Sequence, residues 1–348
     1  MKTATIPIRI DLYSDTLTKP SPAMRKAIAE AEVGDEQRFE DPSVNLLQDM
    51  TAEILRKEAA LFLPSGTMGT LISTAIHCRS GDEILCDQTA HILNAEGAGA
   101  AAVAGAIIRG LPGDRGIYTV EQLRAAIRPR TRYHPRTRMV SVEQTSNQGG
   151  GAVWPLDAMR DITREAGEHG LARHLDGARL FNASVASGVA PHEYAEGFES
   201  VWIDLSKGLG APAGAVLAGS RDFIDAAWQW KQRLGGALRQ AGILAAAGVY
   251  ALRNNIARLA EDHRRAKVLA AGLAEIPRIG VASDRVETNI VMIDVSATGK
   301  TSAEVLNMTL AEGLRFSVSG PTRLRAVTHM DISDDDIQET LRIVRDVV

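Results

Sequence analysis

The sequence predicts an α/β fold: a large domain built on a mainly parallel sheet, followed by a smaller C-terminal α+β domain. Short apolar runs alternate with longer segments of helical spacing, which is typical of strand–helix–strand units. The chain has 348 residues, 45% of them hydrophobic, enough for a sizeable core shared by two lobes. A long alanine-rich stretch begins near residue 241. We therefore expect an N-terminal segment and the large domain in residues 1–249 and the small domain in residues 250–348.

The strands of the large domain are predicted from short apolar runs. They lie at residues 59–66, 82–87, 106–112, 138–145, 172–179, 200–206 and 214–220. Residues 155–170 have helical spacing and stop at a glycine, Gly170.

The C-terminal region begins with helical spacing over residues 241–277, which predicts one or two helices linking the lobes. A strand, a helix, a strand and a final helix follow, with the first three at residues 289–295, 302–314 and 324–332. The final helix starts with Ser333 and has Asp336 three residues later, a signal similar to a capping box.

Charge and cysteine content exclude several classes of protein. The chain has 39 basic and 43 acidic residues, a formal net charge of -4, so no basic excess indicates nucleic acid or an anionic membrane as partner. Two cysteines, Cys78 and Cys86, are too few for a disulfide framework and fit a reducing compartment. No uncharged apolar run approaches the roughly 18 residues of a membrane span, and the N-terminus lacks the pattern of a secretory signal. We expect a cytosolic protein.

The first candidate site is the stretch "PSGTMGT", which lies between a predicted strand and a predicted helix. Gly66 permits close approach of a ligand to the backbone, and Ser65 and Thr67 offer hydroxyls at the helix N-terminus. Free backbone N–H groups and the helix dipole favour an anion there. Taken alone, the stretch fits ordinary helix capping by serine or threonine better than an anion site.

The second candidate site is "HLDGARLFNA". Asp176 lies at the carboxyl end of a predicted strand, where α/β folds collect ligands. A carboxylate in that place can keep a pyridine nitrogen protonated, and Arg179 could bind a second carboxylate through two parallel hydrogen bonds. The alternative is an Asp–Arg salt bridge or a helix cap.

The third candidate is Lys207, between the strand at 200–206 and a glycine-rich turn. A solvated loop lysine is the ordinary explanation, and a lysine kept neutral for Schiff-base chemistry is the alternative. The three candidates together favour the second explanation. Pyridoxal phosphate (PLP) needs an anion site for its phosphate, an acid for its ring nitrogen and an amine for its aldehyde.

Seven blocks in a fixed order extend the pattern over nearly the whole chain. They are DLYSDTLTKPSPAMRKAIAEAEVGDE, EDPSVNLLQ, FLPSGTMG, HLDGARLFNA, LSKGLGAP, LRQAGILAAAGVYAL and RAVTHMDIS. In these blocks the chain resembles the L-threonine aldolases, PLP enzymes with the aspartate aminotransferase-like fold (fold type I). The resemblance implies that fold, PLP as cofactor, and retro-aldol cleavage of a β-hydroxy-α-amino acid to glycine and an aldehyde.

Other functions remain open beside this one. A β-eliminating lyase, a transaldolase or a racemase would use the same cofactor on a related amino acid. A cofactor-binding regulator without turnover is a different class. Such proteins generally join this fold to a DNA-binding domain, for which we expect no room before the first block, because it begins by Asp11.

The resemblance also implies roles for individual residues. Lys207 would form the internal aldimine, and Asp176 would pair with the pyridinium nitrogen. His91 would stack on the cofactor ring near the substrate hydroxyl, as its base or as the holder of a water molecule. The cofactor phosphate would be held by Ser65, Gly66 and Thr67, and by Arg239 from a neighbouring subunit. The substrate carboxylate would be held by Ser14, Arg179 and Arg325. No metal is expected, and a shared site implies at least a dimer, with a tetramer as the alternative.

Two segments depart from the family pattern. In "EQTSN", Ser146 stands where the family usually has a histidine near the substrate hydroxyl. In "VGDEQRFEDP", Arg38 stands at about the position of a tyrosine, and Phe39 replaces a glycine. Both changes fall where substrate side chains would be sensed. We therefore expect Arg38 and Ser146 to fit a polar or acidic β-substituent rather than the methyl group of threonine.

Overall fold

A computed structural model describes residues 7–348 of the chain. In chain order its strands are β1 (Ile10–Asp11), β2 (Ala59–Leu63), β3 (Asp82–Asp87), β4 (Ile107–Leu111), β5 (Arg136–Glu143), β6 (Ala172–Gly177), β7 (Ser200–Asp204), β8 (Ala215–Gly219), β9 (Ile290–Asp294), β10 (Leu314–Arg315), β11 (Ser317–Val318) and β12 (Arg323–Val327). Its α-helices are α1 (Pro22–Ala29), α2 (Pro42–Leu55), α3 (Gly66–His77), α4 (His91–Asn94), α5 (Val120–Ala126), α6 (Leu156–Glu168), α7 (Leu180–Ser187), α8 (Pro191–Ala195), α9 (Arg221–Arg233), α10 (Gly242–Asn254), α11 (Leu259–Ala274), α12 (Ser302–Ala311) and α13 (Asp334–Val347).

The large lobe contains a seven-stranded sheet in the order β2–β8–β7–β6–β5–β3–β4. All neighbouring strands are parallel except that β8 runs antiparallel to both β2 and β7. Strands β3, β7 and β8 are buried along their whole length, as expected where helices cover both faces of a parallel sheet. The mainly parallel sheet is confirmed. Six of the seven predicted runs contain a whole strand, and the run at 138–145 overlaps β5, which begins two residues earlier, at Arg136.

Side-chain alternation divides the sheet between two layers of helices. Leu61 and Leu63 of β2 pack in a cluster with α3 and α9, whereas Phe62 packs on the other face with α2 and α10. Within each strand, successive side chains point to opposite faces, so one short apolar run serves both layers. Helix α3 begins at Gly66, and the hydroxyl of its N-cap, Ser65, accepts a hydrogen bond from the Met68 N–H.

The small lobe has its own core and takes in the beginning of the chain. Strands β9, β12 and β11 form an antiparallel sheet, and β1 pairs in parallel with β10. Ile10 and Leu12 therefore pack with α11 and α13 rather than with the large sheet. The predicted linking segment forms two helices, α10 and α11. The expected boundary at 249/250 falls inside α10, while the large-lobe core extends to Leu259.

The final helix begins as expected, because Ser333 and Asp336 form a capping box. Among residues 7–348, no helix combines the length and the apolar character needed to cross a membrane.

Candidate active site

Three acidic residues meet at one edge of the large sheet. Strands β5 and β7 end at Glu143 and Asp204, and Asp176 is the next-to-last residue of β6. Glu143 and Asp176 are register partners, so their side chains leave the same face of the sheet. Carboxyl ends of parallel strands are the edge at which α/β folds bind ligands. The predicted position of Asp176 at a strand end is confirmed.

Asp176 is a buried carboxyl group in negative surroundings. It is only 3% exposed as a residue, and its side chain accepts a hydrogen bond from the Ala178 N–H at 3.0 Å. Burial and the neighbouring Glu143 raise the pKa of Asp176 to about 7, against the opposing effect of Lys207. A cation that donates a hydrogen bond would stabilise this group as a carboxylate.

Lys207 follows β7 and reaches back toward the strand end. Its Nζ lies 2.9 Å from Asp204 Oδ2 and 5.5 Å from the centre of the Trp202 ring. The side chain is only 19% exposed, so it is not fully solvated as an ordinary loop lysine would be. The amine is not isolated either, because Asp204 provides a counter-ion. Thr18 fixes the backbone here by donating its hydroxyl to the Lys207 carbonyl at 2.8 Å.

The N-terminus of α3 lies at the same edge, because β2 and β7 are both antiparallel to β8 and so run in the same direction. Ser65 is the N-cap and Gly66 the first residue of α3. A Cβ atom on Gly66 would lie 2.4 Å from the Trp202 ring, so only glycine fits against that side chain. The N–H groups that begin an α-helix lack intrahelical acceptors, so they can bind a phosphate.

These groups fit PLP as a donor set. The buried Asp176 carboxyl suits a protonated ring nitrogen, Lys207 supplies a primary amine at the adjacent strand end, and the first N–H groups of α3 suit a phosphate. In residues 7–348, no group of three or more histidine, cysteine or acidic side chains is arranged to hold a metal ion.

His91 begins α4, directly after the loop that follows β3. Its Nδ1 lies 2.8 Å from Oε1 of Glu96, whose side chain is 2% exposed, and its backbone N–H donates to Glu143 Oε2 at 2.6 Å. The hydrogen bond that the His91 ring donates to Glu96 raises the pKa of His91, burial lowers it, and the charge of Asp176 raises it again. The ring is therefore held in one orientation and made more basic than a free histidine.

Arg179 and Arg325 form a pair of cations beside this edge. Arg179 makes a buried two-point ion pair with Asp15, with distances of 2.8 and 2.6 Å. Burial acts to raise the pKa of Asp15, but this arginine outweighs it and lowers the pKa. Arg325 binds neutral acceptors, among them Asn147 Oδ1 at 2.6 Å, and burial and the nearby Arg179 lower its pKa. An anion bound beside Arg325 would relieve both effects.

Arg179 forms its ion pair with Asp15. It does not pair with Asp176, the partner that the sequence had left possible. Ser14, the neighbour of Asp15, accepts hydrogen bonds from the Thr16 N–H at 3.2 Å and the Thr16 hydroxyl at 2.9 Å. Ser14 is nearly buried. Ser14 thus lies in the chain between Tyr13, whose carbonyl accepts a hydrogen bond from Arg325 at 3.3 Å, and Asp15, which pairs with Arg179.

Ser146 lies in a tight turn after β5. Its hydroxyl accepts a hydrogen bond from the Gly149 N–H at 3.2 Å, and a Cβ atom on Gly116 would lie 1.9 Å from that oxygen. Ser146 is 3% exposed, so its hydroxyl stabilises the turn in this structure.

Arg38 and Arg239 lie at the surface, apart from the other candidate residues. Arg239 has a side chain that is 64% exposed and pairs with Asp35 at 3.1 Å. Within residues 7–348, the Arg38 guanidinium has neither a hydrogen-bond nor an ion-pair partner, and neither arginine bonds to Lys207, Asp176 or Arg179.

The residues that sequence reasoning missed are the acidic partners of those it found. Asp204 pairs with Lys207, and Asp15 pairs with Arg179. Glu143 accepts a hydrogen bond from the His91 backbone N–H, and Glu96 contacts the His91 ring. Glu143 and Asp204 carried a usable signal, since each lies near the carboxyl end of a predicted strand, as Asp176 does. Glu96 carried none, because its contact depends on how the chain turns after α4.

Comparisons with known proteins agree with this geometry. The sequence model of the beta-eliminating lyase family matches residues 11–298. The chain is 41% identical over 333 residues to the low specificity L-threonine aldolase of Escherichia coli K12, covering 95% of this chain and 96% of the other. It is 40% identical to low-specificity L-threonine aldolase 1 of Arabidopsis thaliana, with coverages of 95% and 94%.

Solved structures show the same fold at lower sequence identity. The threonine aldolase of Leishmania major superposes with a TM-score of 0.84 at 19% identity, covering 97% of this chain and 99% of that one. The serine palmitoyltransferase of Sphingomonas wittichii superposes with a TM-score of 0.74 at 16% identity, with coverages of 97% and 86%. Both sequence relatives match almost end to end, and the fold is that of type I PLP enzymes. The chain therefore belongs to the threonine aldolase and beta-eliminating lyase family of PLP-dependent lyases.

Proposed function

We propose that the chain cleaves the Cα–Cβ bond of a β-hydroxy-α-amino acid, releasing glycine and an aldehyde. The observation that supports this most is the placement of Arg325, a half-buried cation with only neutral acceptors, beside the edge that holds Lys207 and Asp176. Such a cation suits an amino-acid carboxylate. The name that its relatives share, L-threonine aldolase, points to the same reaction.

We propose that Lys207, Asp176 and the N-terminus of α3 hold the cofactor. Lys207 would bind its aldehyde carbon, Asp176 its ring nitrogen, and Ser65 to Thr67 its phosphate. When bound, PLP supplies an electron sink for the carbanion that remains after the bond breaks. The raised pKa of Asp176 supports its place opposite a protonated ring nitrogen, because that cation offsets the charge repulsion from Glu143.

We propose that Arg325 and Arg179, with Ser14, orient the substrate through its carboxylate. Asp15 fixes the Arg179 guanidinium, and Asn147 fixes that of Arg325 at 2.6 Å. Since both cations are held before substrate binds, they can fix which bond of Cα stands perpendicular to the cofactor ring. Orientation of this kind contributes several kcal/mol to catalysis, within the roughly 7–11 kcal/mol available to proximity effects.

We propose His91 as the base for the substrate hydroxyl. Nδ1 is engaged by Glu96, and within residues 7–348 Nε2 has no hydrogen-bond partner. The β-hydroxyl proton would move to Nε2 as the C–O bond becomes a carbonyl and the Cα–Cβ bond breaks. The aldehyde then leaves, and a proton added to Cα completes glycine. The hydrogen bond with Glu96 stabilises the protonated ring that this transfer produces.

We propose a homo-oligomer, at least a dimer, in which Arg239 binds the phosphate of the neighbouring site. Its exposed guanidinium supports this role. Phe39 is 62% exposed and Ile243 is 48% exposed, and exposed apolar side chains of this size suit an interface between subunits. We propose a cytosolic location, in keeping with the two free, buried cysteines.

We propose that Arg38, and Ser146 through its turn, adapt the site to a polar or acidic β-substituent. The kcat/KM values of wild type and Arg38→Ala for threonine, phenylserine and 3-hydroxyaspartate test this. We expect the largest loss for 3-hydroxyaspartate, and equal losses for all three substrates would remove the idea.

Product analysis tests the reaction itself. Purified protein loaded with PLP is incubated with threonine, allo-threonine and 3-hydroxyaspartate, and glycine and aldehyde are measured. Equimolar glycine and aldehyde are expected. An oxo acid with ammonia would instead identify β-elimination, and inversion at Cα without cleavage would identify a racemase.

A further inference from the structure

Two segments that carry Arg38 and Arg239 form one rigid unit, here called the arginine module: residues 34–42 and 231–242. The Glu36 N–H donates to the Arg239 carbonyl at 3.0 Å, and Gln37 Nε2 donates to the Leu238 carbonyl at 3.0 Å. The Gly242 N–H donates to Asp41 Oδ2 at 2.8 Å. Hydrogen bonds at both ends of the module fix the register of one segment on the other.

The module is anchored by a buried ion pair. Lys231 Nζ lies 2.9 Å from Glu36 Oε2, and both side chains are 0% exposed. The ammonium also lies 4.6 Å from the centre of the Trp228 ring, on which Phe39 packs edge-on at 5.6 Å. Arg38 lies between Glu36, which is held by its ion pair with Lys231, and Phe39, which packs on Trp228. The residues on both sides of Arg38 are therefore fixed.

Phe39 has a backbone conformation that is unusual for a residue other than glycine. Its φ of 60° lies in the left-handed region, where glycine is favoured and other residues lose stability. The conformation turns the Phe39 side chain onto Trp228 and leaves most of it at the surface. Arg38 therefore lies on a fixed, partly apolar surface that also presents Arg239.

We propose that Arg38 acts in trans: it enters the active site of the partner subunit together with Arg239 and contacts the β-substituent of the substrate bound there. Three observations support this. The module fixes the backbone positions of the two arginines relative to each other, both lie at the surface, and neither bonds to the candidate site of its own chain within residues 7–348. If Arg239 crosses the boundary, Arg38 crosses with it. The inference rests on the proposed aldol cleavage.

Subunit complementation tests the proposal. Lys207→Ala and Arg38→Ala chains with different affinity tags are co-expressed, and the mixed holoenzyme is isolated by two purification steps. Its kcat/KM for 3-hydroxyaspartate is compared with that of each parent. Arg38→Ala alone is expected to lose at least about tenfold, the effect of removing one charge-assisted hydrogen bond.

In the mixed dimer, the chain that retains Lys207 is expected to receive Arg38 from its partner. One complete site per dimer gives about half of the wild-type value. If Arg38 acted in its own chain, the mixed dimer would show only half of the Arg38→Ala value, which overturns the proposal. A Lys207→Ala and Asp176→Asn mixture is the matched control and stays inactive, since both groups belong to one chain's site.

Two further outcomes keep the inference separate from the reaction. Wild type that releases glycine, with Arg38→Ala equally active on 3-hydroxyaspartate, overturns the role of Arg38 alone. Wild type that releases no glycine from any of the substrates overturns the proposed function and this assignment with it. A mixture of Lys207→Ala and Arg239→Ala that regains activity, while the Arg38 mixture does not, overturns the claim that the module carries both residues together.

Discussion

The substitution Asp176→Asn in the cofactor-free chain has an effect whose sign and size follow from the structure. Burial raises the pKa of Asp176 to about 7, against about 3.9 in an unfolded chain. Between these pH values the unfolded chain has lost the proton and the folded chain still holds it. Folded protein therefore loses stability as pH rises through this window.

The magnitude follows from about 1.36 kcal/mol per unit of pKa difference. The ionisation of Asp176 lowers the free energy of unfolding by roughly 1–2 kcal/mol at pH 5 and by about 4 kcal/mol at pH 8. The amide in the variant cannot ionise, so the variant lacks this cost while its side-chain oxygen can still accept from the Ala178 N–H. The cofactor-free variant should exceed wild type in stability by these amounts, and added PLP should stabilise wild type more than the variant.

Urea unfolding of both cofactor-free proteins between pH 5 and 8, at one protein concentration, measures the difference. Asp225→Asn, at an exposed position of α9, is the control and should leave the pH dependence of wild type unchanged. A stability difference between Asp176→Asn and wild type that is constant with pH would refute the reasoning. So would a variant less stable than wild type at pH 8.

Other predictions concern the groups that hold the site together. Glu96→Gln removes the main cause of the raised pKa of His91. The acidic limb of the pH profile of kcat/KM, where the base is lost by protonation, should therefore move to lower pH. An unmoved limb would exclude His91 as the titrating base. Lys231→Met strands a buried Glu36 and should lower the free energy of unfolding by about 3–5 kcal/mol, whereas adding Glu36→Gln should restore most of it; a double variant no more stable than the single one contradicts this. Arg325→Ala should raise KM for threonine at least about tenfold, and Arg325→Lys should raise it less. Equal KM values in both variants and wild type would contradict this.

The parts of the fold that follow local sequence rules were predictable. The seven strands of the large sheet are short apolar runs, and burial on both faces requires such runs. Helix α13 begins at a capping box that is visible in the sequence as Ser333 and Asp336. The antiparallel direction of β8 and the pairing of β1 with β10 depend on contacts between distant segments, and no local pattern encodes them.

The site divides in the same way. Asp176, Lys207 and Ser65 stand at ends of elements, so their chemistry was visible from position and residue type. The counter-ion of Arg179 was not visible, because Asp15 is separated from it by 164 positions in the sequence. Arg38 and Arg239 were found only through the resemblance to a family. Their shared support, the pair of Glu36 and Lys231, required the structure.

Covalent attachment of PLP to Lys207 is the central claim, and borohydride reduction followed by peptide mapping tests it most directly. Wild type reconstituted with PLP should yield one peptide that carries reduced cofactor on Lys207, and Lys207→Ala should yield none. Label on a different lysine, such as Lys231, or an unlabelled wild type would contradict the account.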